Sequence, residues 1–434
     1  MKDLNKLRTE DRAVHDWYRF VLSFPPHLVR EYLDRFNVQR SDTVLDPFCG
    51  TGTTTVECKK LGIGSIGIEP NPMAYFASSV KVDWSVNHKE LLDYAEKVAH
   101  CTKKTLDENG FGEWEDLPLF AENGNSKTVL KRLPDERSRI LLKNSISPRP
   151  LHKALELLDA IDGQGDPHYQ RYGRLCLAKA LVYHISNLKF GPEVGVGKIK
   201  DDAPVVEAWL ECIRTTVRDI RRYGDRARTG SLIINADARS VENILKPSSV
   251  DFVITSPPYP NEKDYTRTTR LESVILGMIK SRQELRMLKQ NLVRSNTRGV
   301  YKADTDDREV ADNPTIRNLA DEIERRRIAL GKTSGFERQY SRVTLLYFGG
   351  MAKHFASLRP ALKPGARLAY VVGDQASYLR VMIRTGELLA GIAKSQGYKV
   401  TGIDLFRTRP STVTGEQLRE EVVTLEWPGS KREE

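Results

Sequence analysis

The chain has 434 residues, of which 39% are hydrophobic and 29% are charged, a composition that allows a substantial buried core. The 68 basic and 58 acidic residues give a formal net charge of +10, which favours an anionic partner such as nucleic acid. A solvated lysine-rich face would produce the same excess. The charged first residues and the lack of a long apolar run argue against a signal peptide and a membrane span, so we predict a cytoplasmic protein without a membrane partner.

Neither disulfide nor metal chemistry is indicated by the sequence. The five cysteines are scattered without CxxC spacing, which is typical of free thiols. The eight histidines form no HExxH motif, and no EF-hand loop is found. We therefore predict that the protein has no metal site.

The first clear pattern along the chain is a strand, a glycine loop, a helix and a second strand at residues 42 to 74. Val44 and Leu45 end the first strand, and Gly50 and Gly52 allow a tight turn. The helix is predicted over 53 to 61 and the second strand over 65 to 68. A right-handed crossover places both strand ends at one edge of a parallel sheet, where open α/β sheets bind ligands.

The glycine loop and the acid that follows the second strand suggest a nucleoside ligand. Backbone N–H groups at a helix N-terminus favour polar or anionic groups. The loop lacks the GK[ST] ending of a P-loop and the GxGxxG spacing of a dinucleotide site, so phosphates are less favoured. Glu69 can accept hydrogen bonds from both ribose hydroxyls, and a helix-capping role before the segment NPMA is the alternative.

Two interruptions divide the predicted α/β domain. We expect this domain at residues 1–80, 231–260 and 346–430, with later strands in SLIINAD, DFVITSP, ARLAYVVGD, KVTGIDLF and VVTLEW. Residues 81–230 show helical patterns separated by breakers such as SPRP and FGPEVGVG. Residues 261–345 show helices with basic faces and no clear strand. Both insertions are candidates for contacting a partner.

The strand at 252–255 leads directly into Ser256, Pro257, Pro258 and Tyr259. Prolines cannot continue a strand ladder, so the strand must end there. Two consecutive prolines also fix the backbone and give the neighbouring carbonyls a set direction. This rigid corner can hold a small polar group.

Three motifs together resemble the S-adenosylmethionine-dependent DNA amino-methyltransferases: LDPFCGTGTT at 45–54, GIEPNP at 67–72 and TSPPY at 255–259. FPPHLVREYL at 24–33 is similar to the family's element before the glycine loop. The resemblance implies a class I methyltransferase fold, which is Rossmann-like α/β with a doubly wound, mostly parallel sheet, here with two largely helical insertions. It implies S-adenosyl-L-methionine as cofactor, bound by Pro25, Pro26, His27, Asp46, Pro47, Phe48, Gly50, Thr51, Gly52, Thr53, Glu69 and Asp237. For Asp237, capping the helix at SVENIL is the alternative to contacting the adenine.

The resemblance assigns chemistry to the SPPY corner. The lone pair of an exocyclic amine is delocalised into the base ring, so the amine must be oriented by hydrogen-bond acceptors. The family pattern implies that the Ser256 side chain and the Pro257 carbonyl accept the amine's hydrogens, with Pro258 shaping the corner. Tyr259 would stack on the flipped base. No cysteine lies in a Pro-Cys loop, as methylation at cytosine C5 would require.

The expected substrate is a base in double-stranded DNA. Residues 81–230 are the candidate target-recognition region because of their size, and residues 261–345 are the candidate DNA-contacting region because of their basic charge. Serine in SPPY favours cytosine N4, whereas DPPY is commoner for adenine N6, which stays the alternative. Arg267 and Arg270 are predicted to contact phosphates, and Arg294 and Arg298 to enter a groove, with a solvated helix face as the alternative for this segment. We expect the modification enzyme of a restriction-modification system with a separately encoded endonuclease. An RNA amino-methyltransferase and a non-catalytic DNA-binding regulator are the remaining alternatives.

Overall fold

A computed structural model of the protein describes residues 7–19, 23–112, 129–191, 193–410, 415 and 417–429. Seven strands form the main sheet and two form a small hairpin. In chain order the strands are β1 Thr43–Asp46, β2 Gly64–Ile68, β3 Leu188–Phe190, β4 Val194–Val196, β5 Ser231–Ile234, β6 Val250–Thr255, β7 Leu362–Gly373, β8 Lys399–Pro410 and β9 Gln417–Trp427.

The α-helices vary from a single turn to six turns. They are α1 Pro26–Arg35, α2 Thr53–Leu61, α3 Pro72–Lys81, α4 His88–Glu108, α5 Asp135–Ser138, α6 Pro148–Gly163, α7 Pro167–Ala180, α8 Val205–Tyr223, α9 Tyr265–Thr268, α10 Arg270–Ile275, α11 Arg282–Gln290, α12 Pro314–Ala329, α13 Tyr340–Leu358 and α14 Thr385–Ser395.

The main sheet has the strand order β5-β2-β1-β6-β7-β9-β8. The first five strands in this order are parallel to one another. Strand β9 lies antiparallel to both of its neighbours, β7 and β8. The predicted α/β fold of the class I methyltransferase type, with a mostly parallel sheet, is confirmed.

Helices cover both faces of the sheet because successive strand residues point to opposite sides. On one face, α1 contributes Leu28 and Val29 to a cluster that contains Val44 of β1. On the other face, α13 contributes Met351 and Phe355 to a cluster that contains Leu45 and Val253. A sheet buried on both sides explains why its central strands read as continuous apolar runs.

The first insertion is mainly helical, as predicted, and builds a core of its own. Helices α4, α6, α7 and α8 bury Leu91, Leu157, Leu177 and Ile213 in one cluster. The same cluster includes residues of α3 and α10, which join it to the sheet domain. The segment FGPEVGVG was expected only to break helices, but it contributes to the antiparallel hairpin of β3 and β4, which is a correction.

Helix α13 crosses the boundary expected at residue 346 while packing on the sheet. Among the described residues, the second insertion is made of helices and turns. No helix in the described part of the chain is long and apolar enough to cross a membrane.

Candidate active site

A cavity of about 650 Å³ lies at the carboxyl edge of the parallel strands. Five loops line it, because each follows a parallel strand and therefore starts at the same edge of the sheet. The loops contribute residues 48–51 after β1, 69–71 after β2, 237–238 after β5, 256–259 after β6, and 375 and 377 after β7. Residues of the second insertion, including 261–266 and 291–296, also line the cavity.

The glycine loop between β1 and α2 has the backbone shape that only glycine adopts easily. Gly50 and Gly52 have φ angles of 53° and 84°, both in the left-handed region. A Cβ on Gly52 would also lie 3.1 Å from Cβ of Ser78 and 3.1 Å from Oγ1 of Thr55. The close packing on Ser78 of α3 fixes how the loop sits over the cavity.

Glu69 holds the glycine loop to the end of β2. One carboxylate oxygen accepts a hydrogen bond from the Gly50 N–H at 2.8 Å, and the other accepts one from the Asn71 N–H at 2.8 Å. Helix α3 is capped by the Asn71 side chain, so Glu69 is not the helix cap. Burial raises the pKa of Glu69 to about 7. Each oxygen keeps a further lone pair for a ligand in the cavity.

A buried lysine supports the same loop from behind. Lys81 lies at the end of α3 and donates hydrogen bonds from Nζ to the carbonyl of Thr51 at 2.7 Å and to that of Tyr18 at 3.2 Å. Burial lowers the pKa of Lys81 to about 7. No local sequence pattern marks Lys81, because its contact with Thr51 spans 30 positions of the chain.

Asp46 joins the two central strands below the cavity. Its Oδ1 accepts hydrogen bonds from the Thr255 hydroxyl at 2.6 Å and from the Phe48 N–H at 3.2 Å. Its Oδ2 is buried and has no partner among the described residues. Burial raises the pKa of Asp46 to about 6. The carboxyl therefore couples the glycine loop to the strand that carries the SPPY corner.

Asp237 caps the 3₁₀ turn that follows β5 by accepting a hydrogen bond from the Arg239 N–H at 2.9 Å. Its carboxylate also pairs with the Arg239 guanidinium at 2.6 Å. Asp237 nevertheless lines the cavity. The capping role considered in the sequence analysis is present, while the contact with an adenine stays a prediction.

The SPPY corner presents hydrogen-bond acceptors to the cavity. The Ser256 hydroxyl donates its hydrogen to the carbonyl of Val371 on β7 at 3.0 Å. This bond uses the only donor of the hydroxyl and leaves its oxygen as an acceptor. The Pro257 carbonyl accepts no hydrogen bond from another described residue.

Tyr259 closes the corner on the side of β7. Its backbone N–H donates to the Tyr265 hydroxyl at 3.4 Å. A Cβ on Gly373 would lie 3.2 Å from Cε2 of the Tyr259 ring, so this glycine makes room for the ring. Burial and the nearby charge of Glu420 raise the pKa of Tyr259 above its usual value. The ring is therefore a neutral, half-buried surface beside Ser256.

Most of the predicted catalytic and cofactor residues line the cavity. Those in the wall are Pro25, Phe48, Gly50, Thr51, Thr53, Glu69, Asp237, Ser256, Pro257, Pro258 and Tyr259. The predicted residues outside the lining are Pro26, His27, Asp46, Pro47 and Gly52. Both ring nitrogens of His27 are buried without a partner among the described residues, and burial lowers its pKa.

The four arginines predicted to contact DNA have different surroundings. Arg267 and Arg298 both face Glu193 beside the β3–β4 hairpin, at 3.5 and 3.7 Å. The side chain of Arg270 is mostly buried and lies 3.6 Å from Asp264. A DNA contact of these three arginines stays a prediction.

Arg294 does not have the exposed position that was expected. It is buried and pairs with Asp304, with an Nη2 to Oδ1 distance of 2.7 Å. The same guanidinium donates to the main-chain carbonyls of Lys289 and Gln290. Several of its donors are therefore used within the second insertion, and the groove contact of Arg294 stays a prediction.

Several residues of the wall were not singled out from the sequence. Asn261 and Lys263 directly follow SPPY and could have been found by their position. Gln375 after β7, Arg407 on β8 and Glu420 on β9 are far from SPPY in the sequence, and only the folded sheet brings them to the cavity.

Comparisons with known proteins agree with this geometry. The N6/N4 methyltransferase family, described as DNA methylase, matches residues 2–78. The type II methyltransferase M.BsoBI of Geobacillus stearothermophilus is 27% identical over 422 residues, covering 92% of this chain and 81% of the relative. These matches support a member of the DNA amino-methyltransferase family.

Two further relatives of the chain are also described as type II methyltransferases. The type II methyltransferase M.AvaI of Anabaena variabilis is 22% identical and covers 92% of this chain and 82% of the relative. M.MjaII of Methanocaldococcus jannaschii is 35% identical over 61% of this chain and 62% of the relative. The crystal structure of TrmN from Thermus thermophilus overlaps 96% of this chain and 52% of that chain at 10% identity, with a TM-score of only 0.28. Similarity to these DNA methyltransferases implies the use of S-adenosylmethionine.

Proposed function

We propose that this amino-methyltransferase transfers a methyl group from S-adenosylmethionine to N4 of a cytosine that has been flipped out of double-stranded DNA. The observation that carries the proposal is the state of Ser256. Its hydroxyl donates to the Val371 carbonyl, which leaves the Ser256 oxygen as an acceptor in the cavity wall. An exocyclic amine supplies the donors that such a site needs.

The reaction depends on the orientation of the amine. If one amine hydrogen bonds to the Ser256 oxygen and the other to the Pro257 carbonyl, both N–H bonds point into the corner. The nitrogen lone pair is then turned out of the plane of the base and away from the two acceptors. Fixed acceptors cost no reorganisation during the reaction, which is the usual advantage of a preorganised site.

The other half of the cavity suits the proposed cofactor. Glu69 offers acceptor positions for ribose hydroxyls, and the glycine loop can approach a ligand closely because Gly50 and Gly52 carry no side chain. Phe48 and Ala238 give the wall apolar surface, which fits an adenine ring. When bound, the cofactor supplies an electrophilic methyl group on a sulfonium. Pro25, Thr51, Thr53 and Asp237 are proposed to contact the cofactor because they line the same cavity.

Tyr259 is proposed to stack on the flipped base. Its ring lies beside Ser256 and against Gly373, so a base whose amine reaches Ser256 would pass close to the ring. Stacking of this kind contributes about 1–3 kcal/mol per base and offsets part of the cost of flipping.

The choice of cytosine rests on the serine of SPPY. Both cytosine and adenine carry an amine that two acceptors could hold, so N6 of adenine is the alternative substrate. We further propose that the enzyme protects DNA against a separately encoded restriction endonuclease. The description of its relatives as type II methyltransferases supports this role.

Expression in a bacterial host that lacks DNA methylation tests the proposal. Genomic DNA would be digested to nucleosides for mass spectrometry, and the modified sequence would be identified by sequencing that detects modified bases. We expect N4-methylcytosine at one short sequence. N6-methyladenine would move the target to adenine. Unmodified DNA, despite folded protein that binds the cofactor, would refute DNA methylation and leave RNA methylation or a non-catalytic regulator.

A further inference from the structure

One side of the cavity combines three cationic side chains with a single carboxylate. We call this group, made of Lys263, Arg407, Arg409 and Glu420, the basic rim. Arg407 and Glu420 form a two-bond pair, with an Nη2 to Oε1 distance of 2.9 Å. Arg409 lies 3.4 Å from the same carboxylate. Since both arginines share Glu420, the basic rim retains positive charge.

Lys263 differs from the other cations in the cavity wall. Among the described residues, five cations line the cavity, and Lys263 is the one without an ion pair. The paired cations are Lys289 with Asp264, Arg294 with Asp304, and Arg407 and Arg409 with Glu420. Lys263 and Arg409 line the same cavity. Burial and the charge of Arg409 lower the pKa of Lys263, and the charge of Glu420 opposes this shift.

The backbone of Lys263 is held on both sides although its side chain is unpaired. Its N–H donates to Oδ1 of Asn261 at 2.9 Å, and its carbonyl accepts from Nδ2 of Asn296 at 3.1 Å. The Asn261 N–H in turn donates to the Ser295 carbonyl at 2.9 Å. The unpaired ammonium therefore projects from a fixed segment that starts just after the SPPY corner.

We propose that Lys263 and Arg409 form an anion site that binds a DNA phosphate next to the flipped nucleotide. This inference rests on the proposed function. A flipped nucleotide carries its two flanking phosphates with it, so a base held at Ser256 and Tyr259 brings a phosphate toward the segment that follows them. A phosphate between Lys263 and Arg409 would relieve the repulsion of the two cations. The carboxylate of the cofactor is the other anion that could reach this site.

Salt dependence of DNA binding tests the site. The probe is a duplex that contains the methylated sequence found in the host genome, with S-adenosylhomocysteine present. Each phosphate neutralised by a protein cation contributes about 0.9 to the slope of log affinity against log salt. We expect Lys263→Gln to lower this slope by about 0.9 and to bind S-adenosylhomocysteine as the wild type does. Lys263→Arg should keep the slope.

Lys97→Gln is the matched control, because Lys97 is exposed on α4 and does not line the cavity. A second measurement uses a duplex with a neutral methylphosphonate at the phosphate on one side of the target, and then on the other side. One of the two methylphosphonate duplexes should bind to the wild type about tenfold more weakly than the unmodified duplex, since a charge-assisted hydrogen bond is lost. The same methylphosphonate should weaken the binding of DNA to Lys263→Gln less than twofold.

Two results would overturn the inference while leaving the proposed function intact. If the wild type methylates DNA and Lys263→Gln keeps the wild-type slope, no phosphate is bound at the basic rim. If Lys263→Gln loses affinity for S-adenosylhomocysteine with an unchanged slope, the lysine holds the cofactor's carboxylate. A wild type that transfers no methyl group to DNA would remove the proposed function itself.

Discussion

Replacing Glu69 by glutamine should weaken cofactor binding more than a change of one atom suggests. The carboxylate accepts hydrogen bonds from the N–H groups of Gly50 and Asn71, each at 2.8 Å. In Glu69→Gln, one accepting oxygen becomes an NH₂ group that faces an N–H donor. One loop tether and one proposed ribose contact are then lost. A hydrogen bond to a charged group contributes about 1.5–3 kcal/mol, so we expect roughly 10- to 100-fold weaker binding.

Glu69→Gln should also remove the pH dependence of cofactor binding. Because the pKa of Glu69 is raised to about 7, the carboxylate that accepts from ribose is lost as the pH falls through 7. If the carboxylate form alone binds, affinity for S-adenosylhomocysteine should fall about tenfold between pH 8 and pH 6. Titration calorimetry at pH 8 and at pH 6 measures the affinity of each protein for S-adenosylhomocysteine. Glu69→Gln cannot lose a proton in this range, so its affinity should change much less.

Glu272→Gln is the control for this experiment. Glu272 is also fully buried with a pKa raised to about 7, but it accepts a hydrogen bond from Tyr18 and does not line the cavity. The Glu272→Gln variant should keep the wild-type pH dependence of cofactor binding. Equal affinities of wild type and Glu69→Gln, or a wild-type affinity that is constant from pH 8 to pH 6, would refute the assigned role of Glu69.

Three further substitutions test other parts of the site. Ser256→Ala removes one acceptor for the amine and should lower the single-turnover rate constant of methyl transfer by about 100-fold. The affinity for S-adenosylhomocysteine should not change. An unchanged rate constant would contradict the assignment of Ser256. Lys81→Met removes the donor to Thr51 and should weaken cofactor binding about tenfold in calorimetry, and wild-type affinity would mean that the loop holds its shape alone. Arg294→Ala removes the ion-pair partner of Asp304 and should lower the free energy of unfolding, measured in urea titrations, by about 3–5 kcal/mol. A lowered salt dependence of DNA binding in this variant would indicate that Arg294 contacts DNA.

The sheet could be predicted from the sequence because its central strands are short apolar runs next to glycine or proline. The helix after the glycine loop was predicted at its observed limits, Thr53–Leu61. Strands β8 and β9 extend beyond their predicted ends, since the outer part of β8 lacks a regular apolar alternation. The β3–β4 hairpin was not predicted because its strands have only three residues each and lie among glycines and a proline, which are typical of loops.

The candidate site was predictable where a single motif contains it. The glycine loop and SPPY are local, so Glu69 and Ser256 could be assigned before the fold was known. Lys81 and Glu420 reach the site through contacts between distant parts of the chain, which no local pattern reveals. Arg294 looked like a surface residue because a count of charges does not show that Asp304 neutralises it.

The most direct test of the central claim is transfer of labelled methyl groups from S-adenosylmethionine to purified, unmethylated plasmid DNA. The wild-type protein should place the label on an exocyclic base amine, and Ser256→Ala, bound to cofactor as tightly as the wild type, should transfer about 100-fold more slowly. Label on a carbon atom of a base, or equal rates for the two proteins, would contradict an amine held by the SPPY corner.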